Sequence, residues 1–394
     1  PKLKPLSSLT FRVSYSLTGT PPDASYCSAL TKLSMNTLYR PTTSDKELGF
    51  VVAALGNDEL TYEKKHEFNF GVDAGFFNNR LNVTFDVYQR RNFDEIAPAV
   101  HQLYGKAYAN VGSMKSWGEE LSISSTNVKT NDFSWQTSLI YSHNRTEITD
   151  LYNQGRVIDL VQGNGFAKQG YPARALFSIP FVGINEKGYP VCINEKGQAT
   201  VGNLNFQERD NTDYLIYEGS TDPVYNGSLG NTFNYKGFHL NVFLTYAFGN
   251  VVRLDPVFSA KYNDLTSMTH DFKNRWMQPG DENATNVPGV VSRYEYEQNR
   301  TLLNTAYNAY NYTSVRTAKG DFIRLKEISL AYDFPHRWLE NSPVNNISLK
   351  LQATNLMLLY ADKKLNGQDP EFMNAGGVAS PMPKQFTLTL KLGL

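Results

Sequence analysis

Apolar and polar residues alternate with period two along most of the chain. Phe68, Phe70, Val72, Ala74 and Phe76 interleave with Asn69, Gly71, Asp73 and Gly75. A turn signal follows at 77–80, and Leu81, Val83, Phe85 and Val87 then alternate with Asn82, Thr84, Asp86 and Tyr88. This predicts a β-hairpin with one apolar and one polar face. The pattern returns at Phe133–Tyr141, where Ile140 breaks it, and at Phe238–Phe248, Ile328–Phe334, Ile347–Ala353 and Phe386–Leu394. Weaker strand candidates are 9–18, 107–126 and 224–235. Helices are predicted only as short pieces, such as 269–277.

The connections add an orientation. Short ones at 77–80, 127–132, 236–237 and 335–345 alternate with long ones at 19–64, 92–106, 147–222, 250–311 and 361–384. An up-and-down antiparallel sheet gives this alternation when one edge carries tight turns and the other carries large loops. Counting by this parity predicts ten strands, with the last, 384–394, running toward the short-turn side. Within the loop 147–222, segments 176–183 and 189–194 are expected to form a hairpin around 185–188.

The charged residues Asp73, Asp86, Glu327, Asp333, Lys350 and Lys391 all fall opposite the apolar series. In a membrane barrel that face lines a wet lumen, because a charge at the lipid-facing midplane costs about 2–4 kcal/mol. In a soluble sandwich the same face would meet water, so alternation alone fits both. Strand length and loop asymmetry favour the membrane: these strands run about 10–13 residues, against the usual 5–6 of soluble sheets. Aromatic residues near strand ends, among them Phe76, Tyr88, Tyr235, Tyr246, Phe248, Phe334 and Trp338, suit two interfacial girdles.

Composition narrows the field. The 394 residues carry 38 basic and 38 acidic side chains, which argues against a basic nucleic-acid binder. No run of about 20 apolar residues marks a transmembrane helix. Mean hydropathy of -0.43 argues against a helical membrane protein and leaves a β-barrel open. Cys27 and Cys192 belong to no zinc-type spacing, and read as two isolated thiols or, in an oxidising compartment, a disulfide. The six histidines form no HExxH, and neither a nucleophile elbow nor a P-loop occurs. Acidic neighbours such as Glu119-Glu120 and Asp281-Glu282 do not make a glycosidase pair, since adjacent strand residues face opposite ways and a loop pair is usually just solvated. No catalytic, metal or cofactor residues are assigned.

Several segments resemble the SusC/RagA family of TonB-linked outer-membrane transporters of Bacteroidetes. They are Asn57-Asp58-Glu59-Leu60-Thr61-Tyr62-Glu63-Lys64, Phe68-Asn69-Phe70-Gly71-Val72-Asp73, Phe76-Phe77-Asn78-Asn79-Arg80-Leu81 and Asn110-Val111-Gly112-Ser113-Met114 with Gly118 and Glu120. Further matches are Phe233-Asn234-Tyr235-Lys236-Gly237-Phe238, Phe243 through Gly249-Asn250, and Arg275-Trp276. Gly320-Asp321-Phe322-Ile323-Arg324-Leu325-Lys326, Ala353-Thr354-Asn355-Leu356 and Asp369-Pro370-Glu371 complete the series. Each is weak alone; their order and spacing over roughly 50–394 are specific. The resemblance implies an all-β, antiparallel up-and-down transmembrane β-barrel of about 22 strands, plugged from within. Residues 1–394 would be its C-terminal portion, leaving roughly twelve strands, the plug and the TonB box to an upstream segment. Such barrels commonly end in an aromatic residue, whereas this sequence ends Leu392-Gly393-Leu394.

The implied function is TonB-dependent import of oligomeric nutrients, glycan or peptide, across the outer membrane of a Gram-negative cell. The implied partners are a SusD-like surface lipoprotein lid, TonB, the oligomer and the lipid bilayer; no cofactor or nucleic acid is implied. The alternative is a secreted soluble all-β carbohydrate-binding or hydrolase module, which would need no detergent. In the loop 250–311, Trp276, Arg293, Tyr294, Tyr296, Arg300, Tyr307 and Tyr310, with Tyr312 at its end, form the candidate substrate or partner set. Aromatic faces with hydrogen-bonding tips suit sugar rings and peptide backbones. Self-packing of the loop, or packing against the lipoprotein, is the competing reading.

Overall fold

The computed structural model describes residues 5–23, 31–40, 42–43, 45–54, 56, 59–101, 105–152, 154–262, 265, 267–340, 343–373 and 383–393. Cys27, Asn57, Asp58 and Leu394 lie outside these residues.

Ten strands form one antiparallel sheet in sequence order. They are β1 (Leu6–Thr20), β2 (Glu63–Phe76), β3 (Leu81–His101), β4 (Gly105–Lys129), β5 (Phe133–Leu151), β6 (Tyr225–Tyr235), β7 (Phe238–Phe248), β8 (Phe322–Asp333), β9 (Asn346–Ala361) and β10 (Gln385–Gly393). The predicted strand count holds; of the five expected long connections, the one at 92–106 is instead strand through His101 and again from Gly105, because β3 and β4 stay paired as far as those residues. The short-turn rim is built by local chemistry. Lys236 and Gly237 both take positive φ, 44° and 87°, as a two-residue hairpin turn requires. At the first turn Phe77, Asn78 and Asn79 sit at φ 55°, 58° and 58°, and asparagine tolerates that region better than most residues.

Register aligns the apolar face across the sheet. Leu9 faces Ala74, which faces Val83, then Ile123, Leu139, Leu229, Leu244, Leu325 and Met357. A second row at the short-turn rim runs Phe133, Tyr235, Phe238, Tyr332, Leu349 and Leu390. The one polar interruption between these rows on β5 and β6 is internally satisfied. The Trp135 indole N–H and the Thr137 hydroxyl both donate to Asn231 Oδ1, at 3.0 and 2.8 Å. Above Tyr141 the same face becomes charged: His143 meets Glu119 at 3.4 Å and Lys115 meets Glu147 at 2.9 Å. That change marks the upper limit of the lipid zone. The opposite face carries Arg12 between Asp73 (2.7 Å) and Asp86 (2.9 Å), and His239 between Asn234 (2.6 Å) and Asp333 (2.9 Å).

Two expectations need correction. Residues 269–277 contain only a 3-10 turn, His270–Asn274, whereas a full helix, α3 (Arg300–Asn311), forms where none was predicted. Its apolar stripe is Leu303, Ala306, Tyr307 and Tyr310, spaced i, i+3, i+4, i+7. The intervening Asn and Thr residues, weak helix formers, hide it. The expected loop hairpin is narrower than predicted. Phe181–Ile184 pairs with Pro190–Ile193, but Ala175–Ser178 pairs with Ile216–Ser220.

Candidate functional site

At the long-loop rim the connections β5–β6 and β7–β8 fold together into one module. Its first core joins Val157, Leu160 and Val161 of α1 (Val157–Val161) to Phe177, Ile179, Cys192, Leu215 and, from the other loop, Ala309. A second core packs Tyr189 against Ala260, Leu303, Ala306 and Tyr307. A third joins Val252, Leu254 and Ala318 to Leu365 from the β9–β10 connection. α3 thus lies between the loops, with α2 (Arg293–Gln298) just before it. Ser292 caps α2 by accepting from the Glu295 N–H at 3.2 Å.

Buried arginines tie the loops where apolar packing stops. Arg253 donates to the carbonyls of Thr313 (2.8 Å) and Phe177 (2.6 Å) and to Ser178 Oγ (3.0 Å). Burial brings its pKa down to about 10, outweighing the opposing pull of the Glu218 carboxylate. Arg316 lies over the Phe258 ring at 4.8 Å and reaches Asp271 at 3.6 Å. Arg324, at the loop end of β8, binds Asp369 at 2.6 Å and Glu371 at 2.7 Å. Asp369-Pro370-Glu371 therefore meets the Gly320–Lys326 segment in space. Other resembling segments meet too. Asn110 donates to the Thr61 carbonyl and accepts from the Thr61 N–H, and Asp321 accepts from the Gly249 N–H at 2.7 Å. These shared segments are the joints between strands and loops.

The eight candidate residues divide. Tyr310 and Tyr307 are core residues, each 2% exposed. Tyr310 packs edge-on against Phe258 and Phe181, and the Tyr307 hydroxyl donates to the Gly289 carbonyl. Burial pushes both phenols above their usual range. Tyr312 packs on the first core. Trp276 supports the backbone: its ring fills the space beside Gly188 and Gly289, and its N–H donates to Glu282 at 3.0 Å. Arg293, Tyr294 and Arg300 stand in solvent, Tyr294 at 78% exposure, and Tyr296 is half-buried. Arg293 and Tyr296 share a surface cavity of about 440 Å³ with Lys261 and Tyr262. Tyr307 floors a neighbouring one of about 190 Å³. Tyr262 and Phe272, outside the candidate set, stack with centroids 5.2 Å apart; no periodicity marks them in the sequence.

Cys192 is buried and free. Burial raises its pKa to about 12, so at pH 8 about one thiol in 10⁴ is ionised. With Cys27 replaced by serine, Cys192 is expected to resist a maleimide in the folded protein and to label fully in urea. Rapid labelling without denaturant would show that the first core opens readily.

A wall that is apolar outside and polar inside, with tight turns at one rim and long folded loops at the other, defines an outer-membrane β-barrel. Curated relatives carry the comparison further. The chain is 25% identical over 378 residues to the TonB-dependent receptor P3 of Formosa agariphila, a match covering 92% of this chain and 35% of that protein. It is 26% identical over 356 residues to the TonB-dependent receptor SusC of Bacteroides thetaiotaomicron, covering 86% of this chain and 32% of that one. The fold of the RagAB peptide transporter matches with a TM-score of 0.75 at 24% identity, over 99% of this chain and 41% of that chain. No family model matches. The resemblance to SusC and RagA thus holds in sequence and in fold. The chain spans about a third of the length of its curated relatives, which are named as receptors rather than enzymes.

Proposed function

We propose that residues 1–394 are the C-terminal barrel portion of a SusC-like importer. The whole protein takes up oligomeric nutrients, glycan or peptide, and depends on TonB. The observation that supports this most is the ten-stranded wall crowned by a loop module with its own cores. A passive pore needs only a lumen; a folded, arginine-braced module at the outer rim provides a surface for capture. A SusD-like lipoprotein closes over that rim as a lid, and TonB acts through a plug carried by the rest of the protein. The wall supplies a rigid, polar passage, and the loops supply first contact. The exposure of Arg293, Tyr294 and Arg300, with half-buried Tyr296 beside them, supports a role for these four in contact with substrate or lid.

Uptake of labelled oligosaccharides and oligopeptides by cells carrying the full-length protein tests this. Uptake is expected to vanish on TonB depletion; persistence at the same rate would identify a passive pore. Replacing Arg293, Tyr294 and Tyr296 together with alanine is expected to lower uptake or lipoprotein copurification several-fold. If both stay unchanged, these residues are discarded as contacts. Tyr307→Ala and Tyr310→Ala are expected instead to loosen the module by about 3–5 kcal/mol, the usual cost of truncating a buried aromatic.

A further inference from the structure

The two cavities beside α2 and α3 adjoin. Lys261, Tyr262 and Val290 line both. The inner one, about 190 Å³, has Val257, Phe258, Met268, Phe272 and Pro288 in its walls above the Tyr307 ring, with Ser259 and Lys261 at their polar edge. A cavity of about 150 Å³ accepts benzene, so by volume this one has room for a phenyl or isobutyl group against its apolar walls. The Tyr307 hydroxyl at its floor is already committed to the Gly289 carbonyl. Ser259 Oγ already accepts from the Lys261 N–H, so a sugar ring seated here would bury more hydroxyls than it finds partners for, at a cost for each one left unpaired. The outer cavity is different. Its charged lining residues are Lys261, Arg293 and Glu297. Among the described residues neither cation has an ion-pair partner, and both are exposed beside the mouth. Val290 and Tyr262, 46% and 39% exposed, form the threshold between the two cavities.

We infer that this pair of cavities is a binding site for an oligopeptide, its inner cavity seating one apolar side chain and its outer cavity holding a neighbouring carboxylate. The inference rests on the proposed import function and selects, from its two substrate classes, the peptide. The carboxylate comes from the peptide's C-terminus or from an acidic side chain; the chemistry at Lys261 and Arg293 is the same for both.

The test uses the full-length protein in detergent and isothermal titration calorimetry. The probes are short peptides carrying one phenylalanine beside a carboxylate, the same peptides with glycine for phenylalanine, C-amidated and Asp-to-Asn analogues, and a neutral gluco-oligosaccharide. Peptide binding is expected to fall at least tenfold when phenylalanine is removed and at least tenfold in Val290→Trp, which fills the threshold from an exposed position. Arg293→Glu and Lys261→Glu should weaken it further and remove its salt dependence. Loss on amidation assigns the carboxylate to the C-terminus; loss in the Asp-to-Asn analogue assigns it to a side chain. Equal binding to wild type and Val290→Trp, or binding of the oligosaccharide alone, overturns the inference. TonB-dependent uptake in cells is scored separately. Uptake that persists while the cavity variants bind normally refutes this site and leaves the import reading standing; loss of all uptake refutes the reading itself.

Discussion

Arg324→Met is expected to cost about 3–5 kcal/mol, because it leaves a buried carboxylate without its counterion. Arg324 and Asp369 are 5% and 8% exposed at their side chains, and the guanidinium also holds Glu371. The pair closes the joint between the loop end of β8 and the β9–β10 connection. The consequence should be local. Limited proteolysis of the full-length protein in vesicles is expected to nick the chain after β9, while the barrel keeps its resistance to unfolding in cold SDS. The double variant Arg324→Met, Asp369→Leu removes both charges, and replacing a buried ion pair by apolar groups is often nearly neutral. Its loss should therefore be smaller than that of Arg324→Met alone. Additive losses would show that the two residues act independently.

Leu139→Arg and Ser138→Lys differ by one position on β5 and are expected to part company. Leu139 stands in the middle of the apolar row, between Ile123 and Leu229. An arginine there meets the bilayer midplane, at a cost of about 2–4 kcal/mol. Ser138 is exposed on the opposite face, where a lysine meets the wet interior. Urea unfolding in lipid vesicles, read by tryptophan fluorescence, separates them. Leu139→Arg should lower the midpoint and Ser138→Lys should leave it near wild type. The reverse order would place the lipid on the wrong side of the wall.

The wall was legible because its physics is local and periodic. A strand with lipid on one side and water on the other must alternate, and a short turn must find residues that tolerate positive φ. Phe238–Phe248 and the Lys236-Gly237 turn show both at once. The loop module was not legible, because nothing periodic specifies it. The stripe of α3 was present at 303, 306, 307 and 310, but Asn304, Thr305, Asn308 and Asn311 made the segment look like loop. Buried Asn311 belongs there for tertiary reasons: it bonds both the N–H and the carbonyl of Phe258. Arg253 was invisible for the same reason, since its partners are carbonyls from distant segments. In the candidate set, aromatic content marked the right loop but did not sort floor from rim. That sorting depends on which side of a helix faces its neighbours, and so on knowing that the helix exists.

α3 comes from the β7–β8 connection yet completes a core begun in the β5–β6 connection. Each long loop supplies most of one core and closes it with a residue of the other, Ala309 in the first and Tyr189 in the second. Local opening of one must expose the other, so the two should protect their amides against hydrogen exchange with one shared free energy rather than two. Motion at the outer rim is then coarse-grained. The two largest loops travel as a single paddle, and whatever pivots does so at the joints, near Asn250, Asp321 and Arg324, rather than within the loops. Length changes in one loop are correspondingly constrained by the other, and sequence drift at this surface has to be concerted.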